Sequence, residues 1–407
     1  MTATEISWSR RLAEATPAGR DRTVDAVRAL AMAGVVVGHW MVTALVAHPD
    51  DGWHQRSPLS SMPWLVPMTW FLQTLGLFFF VSGYSAGRGL SRWRGRGRST
   101  ASWLVSRLRR LLPPVVMFLG VWVMVRTSLS GSPVEPWTAH TVSNLMVSPL
   151  WFVGVLVLLL PLTPLVVAAE RRFGAAAALG PLAAVAVVDL VRFELWPGLP
   201  GEVAYLNAVT AWLVPYVLGV SLSRGGLDRR WGSPLALVGV LAGAFLILVA
   251  DYPASMVGVP GDDRSNLAPP SLLVVALALV QIGVARLAWE RLAGLMRRPG
   301  WWAIVALLNL SAMTVFLWHQ SALLVVSAAG HLVLGEPAGL IGAPDGPAWV
   351  TARLLWLPVF AVVLALFWLI FRRVEALGTG ASGRGLSPER ATGKCPPRGD
   401  DYGGRNS

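Results

Sequence analysis

Residues Arg28–Trp40 read RALAMAGVVVGHW, an apolar run fit for the interior of a lipid bilayer that nevertheless carries one arginine and one histidine. Ionisable side chains are expensive at membrane depth and mark pathways or reaction sites by default. Arg28 and His39 are eleven residues apart, close to three full turns at 3.6 residues per turn. On a helix they share one face, separated by roughly 16 Å along its axis.

The rest of the chain has the same character. It holds 407 residues, 54% of them hydrophobic and only 14% charged, with a mean hydropathy of +0.57. That is far more apolar than a soluble globular average. Runs of about 20 apolar residues recur, each long enough to cross a hydrocarbon core as a helix, and none alternates as a strand does. The fold class this predicts is all-α, a polytopic membrane protein with ten spans near 24–46, 64–86, 109–127, 149–169, 175–191, 204–222, 233–250, 269–289, 306–330 and 350–371. Trp301–Leu308 reads as a lead-in to the ninth.

The basic residues orient these spans. With the N-terminus inside, the inner segments collect 28 of the 34 Lys and Arg and the outer ones five: Arg56, Arg126, Arg192, Arg264 and Arg353. Cytoplasmic arginine and lysine set topology, so both termini are expected in the cytoplasm of a multi-pass protein of the cell membrane. The +12 net charge is then topological and gives no reason to expect a nucleic-acid partner. Membrane lipids are the expected surroundings, and the sequence leaves the oligomeric state open. The expected organisation is a cytoplasmic tail over 1–22, a membrane domain over 23–373 and a polar tail over 374–407, disordered from Gly378 and rich in Gly, Pro, Ser and Arg. Met1–Arg22 lacks the apolar centre of a cleaved signal peptide. Cys395, the one cysteine, supports no disulfide framework or thiolate metal site, and no metal is expected. No internal repeat of the kind that builds many transporters is visible.

Several polar residues stand out against this background. Arg28 at the inner end of its helix either binds an anion or reaches the interface beside Asp25 at i,i+3, and His39 farther across either acts as a general base or bonds a neighbouring helix. Eight arginines lie between Arg88 and Arg110. Those from Arg92 to Arg98 suit a positive-inside anchor, whereas Arg107 and Arg110, at i,i+3 at the mouth of the third span, suit a phosphate clamp for a nucleotide-bearing ligand such as coenzyme A. His319 in SAMTVFLWHQ faces either substrate or packing. Ser82, Asn309 and Trp151 are candidates to touch substrate or to donate to an oxyanion. Gly83, beside Ser82 and Tyr84, permits close helix approach.

Five of these patterns occur together in order: R-x10-H in the first span, FFFVSGY in the second, R-x-x-R before LLPP, PLWFVGVLVLL at the fourth and MTVFLWHQ near the end. Over about Arg22–Arg373 the chain resembles the acyltransferase 3 family of integral membrane acyltransferases, with VVDLVRF, YLNAVTAWLVPYVLG and SNLAPP resembling an actinobacterial-type branch. The resemblance implies an acyl-CoA donor, acetyl-CoA or longer, on the cytoplasmic side, and a glycan, lipid or small-molecule acceptor. It implies that His39 is catalytic, that Arg28, Arg107 and Arg110 handle the donor, and that His319 belongs to the late histidine motif, here with Phe316 where tyrosine is frequent. The chain departs from polysaccharide-modifying members in having FVGVLVLL, with no acidic residue, after Trp151, and no appended hydrolase-like domain is seen.

On this resemblance His39 either removes the proton of an attacking hydroxyl or amine or carries the acyl group covalently in a relay. The rival class is a small-molecule or lipid transporter or flippase in which Arg28 and His39 form a substrate or proton path. A non-catalytic membrane assembly protein is the third class.

Overall fold

In the computed structural model, which describes residues 3–17, 19–131, 134–196, 201–260 and 264–380, the apolar runs are helices. The chain passes through α1 (Ala3–Glu14), α2 (Arg22–Val42), strands β1 (Ala44–His48) and β2 (Gly52–Arg56), α3 (Pro58–Ser61), α4 (Val66–Leu72), α5 (Leu75–Arg94) and α6 (Thr100–Ser130). It continues through α7 (Pro136–Val147), α8 (Leu150–Phe173), α9 (Leu179–Leu190), α10 (Gly201–Ala204), α11 (Asn207–Ser223) and α12 (Gly232–Leu248). It ends with α13 (Leu272–Leu287), α14 (Trp289–Leu295), α15 (Pro299–Leu310), α16 (Ala312–Leu334) and α17 (Pro347–Gly380). α17 continues through Gly380, over the first residues of the tail expected at 374–407 and past Gly378 where disorder was expected, and the rest of that tail, Cys395 included, lies outside the described residues.

Among the described residues, eight helical stretches are long and apolar enough to cross a membrane, or nine if α13 and α14, bent by 58°, form one span. One of the eight, Pro136–Leu195, runs for 60 residues, about three times the length a bilayer needs. It is broken at Gly174, whose φ of +60° favours glycine, and α8 and α9 fall on either side. Divided there, its two parts fall over the expected spans at 149–169 and 175–191. The chain is an all-α multi-pass membrane protein.

The boundaries differ from expectation where side chains compete for the backbone. The first span stops at Val42, because Ala44–His48 pairs antiparallel with Gly52–Arg56 across an HPDDG turn in which Gly52 has φ +94°. The second span is split: Gln73 and Thr74 separate α4 from α5, and the Thr74 hydroxyl donates to the Ala31 carbonyl at 2.6 Å. The lead-in to the ninth span is a separate helix, α15, ended at Ser311.

The core is built around α5 and α11. Gly83 and Gly219 lie at their crossing, where an added Cβ would fall inside contact distance of the Tyr216 and Phe80 carbonyls respectively, so only glycine lets the backbones meet. Phe79 stacks on Trp212 with ring centroids 5.1 Å apart, and Phe152 packs against both Phe79 and Phe316. Helices α6, α12 and α17 instead expose Val116, Val123, Leu237, Leu241, Leu355 and Val362, the surface that lipid tails would cover.

Two buried polar groups fix the outer half. Asp189 on α9 accepts from Asn207 Nδ2 (2.9 Å), Tyr252 hydroxyl (2.9 Å) and the Leu272 amide (2.7 Å), tying α9 and α11 to the start of α13. Desolvation beside that carboxylate raises the pKa of the Tyr252 phenol above its ordinary value, so it stays a donor. Arg353, counted above among outer cations, is fully buried within α17. Its Nη2 donates at 2.8 Å to the carbonyl of Thr43, the C-cap of α2. A cation there opposes the negative end of the helix that carries His39.

Candidate functional site: an arginine basin and a histidine pocket joined by one helix

Asp21 caps α2, accepting from the amides of Thr23 and Val24 at 3.1 and 3.2 Å, as an acidic N-cap does. Its second oxygen accepts from the Tyr84 hydroxyl at 2.8 Å, and that hydroxyl accepts from Arg88 Nη1 at 2.6 Å. The helix that bears both Arg28 and His39 is thereby anchored to α5 at its inner end.

Arg28 is held by three partners from three elements: Asp25 Oδ1 at 2.9 Å, Asn309 Oδ1 at 3.1 Å and Ser85 Oγ at 2.5 Å. The pairing with Asp25 matches the i,i+3 alternative read from sequence, yet the residue does not point away to a free interface. It lines a cavity of about 360 Å³ together with Arg20, Arg88, Arg92, Arg107 and Tyr84. Asn309 is itself fixed, its amide donating to the Asp25 and Val305 carbonyls at 2.8 and 2.9 Å. It therefore orients Arg28.

Arg107 Nη2 reaches the Ser85 carbonyl at 3.4 Å, so Ser85 contacts two of the three arginines that the sequence singled out, Arg28 and Arg107. A second cavity of about 270 Å³ adjoins the first through Gly89, Arg92 and Arg107, and adds Arg96, Arg110, Trp93 and Trp103. Seven arginines thus converge from α2, its N-terminal approach, α5 and α6, against the carboxylates of Asp21 and Asp25. Such a concentration of forked donors suits a ligand carrying several phosphates.

His39 lies toward the other end of α2 and lines a separate pocket of about 460 Å³ with Thr43, Gln55, Arg56, Gln73, Ser148 and Gln320 among others. Gly34 and Gly38 allow α2 to press against the α4–α5 junction beside this pocket; a Cβ on Gly34 would sit 2.5 Å from Thr74 Oγ1. The His39 ring is 5.0 Å from that of His319, centroid to centroid, and its Nδ1 is 3.1 Å from the Gln320 side-chain amide. His319 is fully buried. Its Nδ1 donates to the Phe316 carbonyl at 2.6 Å, which leaves Nε2 without a hydrogen and without a partner. The Trp40 indole N–H donates at 2.9 Å to the His319 carbonyl, locking α16 to α2 beside the pair.

The structure therefore brings together Arg28, Arg107, Arg110 and Asn309 at one end of α2, and His39 with His319 at the other. It does not bring in Trp151 or Ser82. Trp151 is 39% exposed, with Trp212 at 6.5 Å, and its neighbour Phe152 takes the inward position. Neither Trp151 nor Ser82 lines the three cavities. Sequence reasoning missed Ser85, Arg88, Arg92 and Gln320. Ser85 is one turn from Ser82 on α5 and was reachable by helical phase; Arg88 and Arg92 continue that phase at i+3 and i+7. Gln320 follows His319 and reaches a different partner, which only the α2–α16 crossing reveals. Among the described residues no group of three or more His, Cys, Asp or Glu side chains could hold a metal ion.

Residues 21–372 match the acyltransferase 3 family model, described as an acyltransferase domain. No curated protein and no solved structure matches.

Proposed function

The chain belongs to the acyltransferase 3 family and is a membrane acyltransferase; from that premise we propose that it moves an acyl group from acyl-CoA to a hydroxyl or amine of a glycan, lipid or small molecule at the cell membrane. The observation that supports this reading is that α2 lines both the arginine basin and the histidine pocket, with Arg28 in the first and His39 in the second, while α5 runs beside it from Leu75 at the pocket to Arg88 at the basin.

The basin receives the donor's phosphates on Arg107, Arg110 and their neighbours, and Arg28, held rigid by Asp25, Asn309 and Ser85, lines the way inward. In the direct course, the acceptor oxygen or nitrogen bonds to the thioester carbon as His39 takes its proton. The carbon–sulfur bond breaks and the departing sulfur receives that proton. In the relay course, a His39 nitrogen bonds to the acyl carbon first, coenzyme A leaves as the thiol, and the acceptor then displaces the imidazole. His319, buried beside His39 with its ring 5.0 Å away, packs against the reacting imidazole.

The positive-inside orientation puts the basin on the cytoplasmic side, where acyl-CoA is available, and the histidine pocket toward the outside. Purified protein in detergent, given acetyl-CoA and a cell extract of lipids, glycans and small molecules as acceptor, is expected to release free thiol in a time- and protein-dependent manner. A transporter or a passive assembly protein predicts no thiol release, and its absence across acetyl-CoA and longer acyl-CoA donors refutes the reading.

A further inference from the structure

Gln320 is 1% exposed and sits on α16 directly against His39. Its amide nitrogen lies 3.1 Å from His39 Nδ1, while its Oε1 is buried with no donor. Nδ1 is thus occupied by Gln320, and Nε2 is the ring nitrogen left for the pocket that both residues line.

With the amide nitrogen toward Nδ1, that nitrogen is an acceptor and the imidazole proton sits on Nε2, where it blocks chemistry. Both courses of acyl transfer need the opposite. The direct course needs the Nε2 lone pair to take the acceptor's proton, and the relay needs it to bond to the acyl carbon. The oxygen and nitrogen of a glutamine amide exchange places by a half-turn of the terminal bond, with no change in its outline. Turned, Oε1 accepts from Nδ1–H and Nε2 is left free. The amide nitrogen then takes the buried position where the oxygen now lies without a donor.

We propose that Gln320 is the positioning residue of His39: its side-chain oxygen accepts from Nδ1–H and fixes the tautomer whose Nε2 is free to react. The role parallels that of the third group in a nucleophile–base–orienter arrangement, here supplied by an amide oxygen. This inference rests on the acyl-transfer reading for its purpose, but its tautomer claim is measurable without turnover.

The test combines spectroscopy and kinetics on the full chain in detergent. In protein labelled with ¹⁵N-histidine, the His39 signals, assigned by their loss in His39→Ala, should show Nδ1 protonated and Nε2 bare. Gln320→Leu removes the acceptor, so thiol release from acetyl-CoA should fall about tenfold or more with the acetyl-CoA KM nearly unchanged. Gln320→Glu presents only oxygens and should retain release to within about threefold of wild type, with the same tautomer. A wild-type His39 protonated on Nε2 overturns the proposal, and so does full activity in a folded Gln320→Leu. If Gln320→Leu does not fold, Gln320→Glu decides: retained release and tautomer support the proposal, and a folded but inactive protein overturns it. A wild-type protein that releases no thiol sinks the acyl-transfer reading instead, and the ¹⁵N signals still decide the tautomer.

Discussion

Replacing Arg28 with leucine tests the inner basin at its best-determined point. The side chain makes three hydrogen bonds of 3.1 Å or less, one of them to a carboxylate. Asp25 keeps its ion pair with Arg20, Ser85 Oγ still donates to the Val81 carbonyl at 2.8 Å, and Asn309 keeps both donor bonds. No buried charge is orphaned, so the fold should lose only about 1–3 kcal/mol, the range for hydrogen bonds to charged groups. The donor, by contrast, loses a preoriented cation. A comparable 1.5–3 kcal/mol from binding is roughly a 10- to 150-fold weaker acyl-CoA affinity. Titration calorimetry with coenzyme A, alongside thermal unfolding of the same detergent preparation, separates the two effects. An unchanged coenzyme A affinity in a folded Arg28→Leu protein would refute the assignment of this basin to the donor.

Other outcomes follow from the same geometry. Coenzyme A affinity should weaken steeply as ionic strength rises, because exposed charges separated by more than about 8 Å are screened at physiological salt, and Arg107→Ala should flatten that dependence; a salt-independent affinity would contradict an arginine-held donor. Gly83→Ala places a methyl against the Tyr216 carbonyl and should cost at least about 1–3 kcal/mol by overpacking, seen as a lower unfolding temperature or lost folded yield. Asp189→Asn leaves one oxygen for three donors and should destabilise by about 1–3 kcal/mol, while the acetyl-CoA KM measured below the unfolding transition stays at the wild-type value.

The spans were legible in the sequence because membrane crossing depends on composition and length, and both are local. The shared face of Arg28 and His39 was legible for the same reason, since helical phase within one helix needs no neighbour. Gly83 was recognisable as a close-approach residue, although its partner Gly219 was not. What failed to show was everything set by how helices cross. Trp151 carried the motif, but rotation of α8 turns Phe152 inward and leaves Trp151 at the surface. Ser82 was chosen from the α5 motif where the structure uses Ser85, one turn farther on. Arg353 lies at the end of α2 where the outer cations were expected, but its burial there, between Trp349 and Phe360 and against the Thr43 carbonyl, was not legible. The β1–β2 hairpin had only its HPDDG turn as a signal, because β1, ALVAH, continues the apolar composition of the helix before it and β2, GWHQR, is polar and reads as loop.

The most direct test of the account is thiol release from acetyl-CoA by wild type and His39→Ala, given the same acceptor extract, purified side by side in the same detergent and matched for monodispersity and unfolding temperature. The account predicts steady release by wild type and its loss in a folded His39→Ala, with coenzyme A still binding to both. Full release by folded His39→Ala would contradict it, because the pocket at the far end of α2 would then have no part in the chemistry.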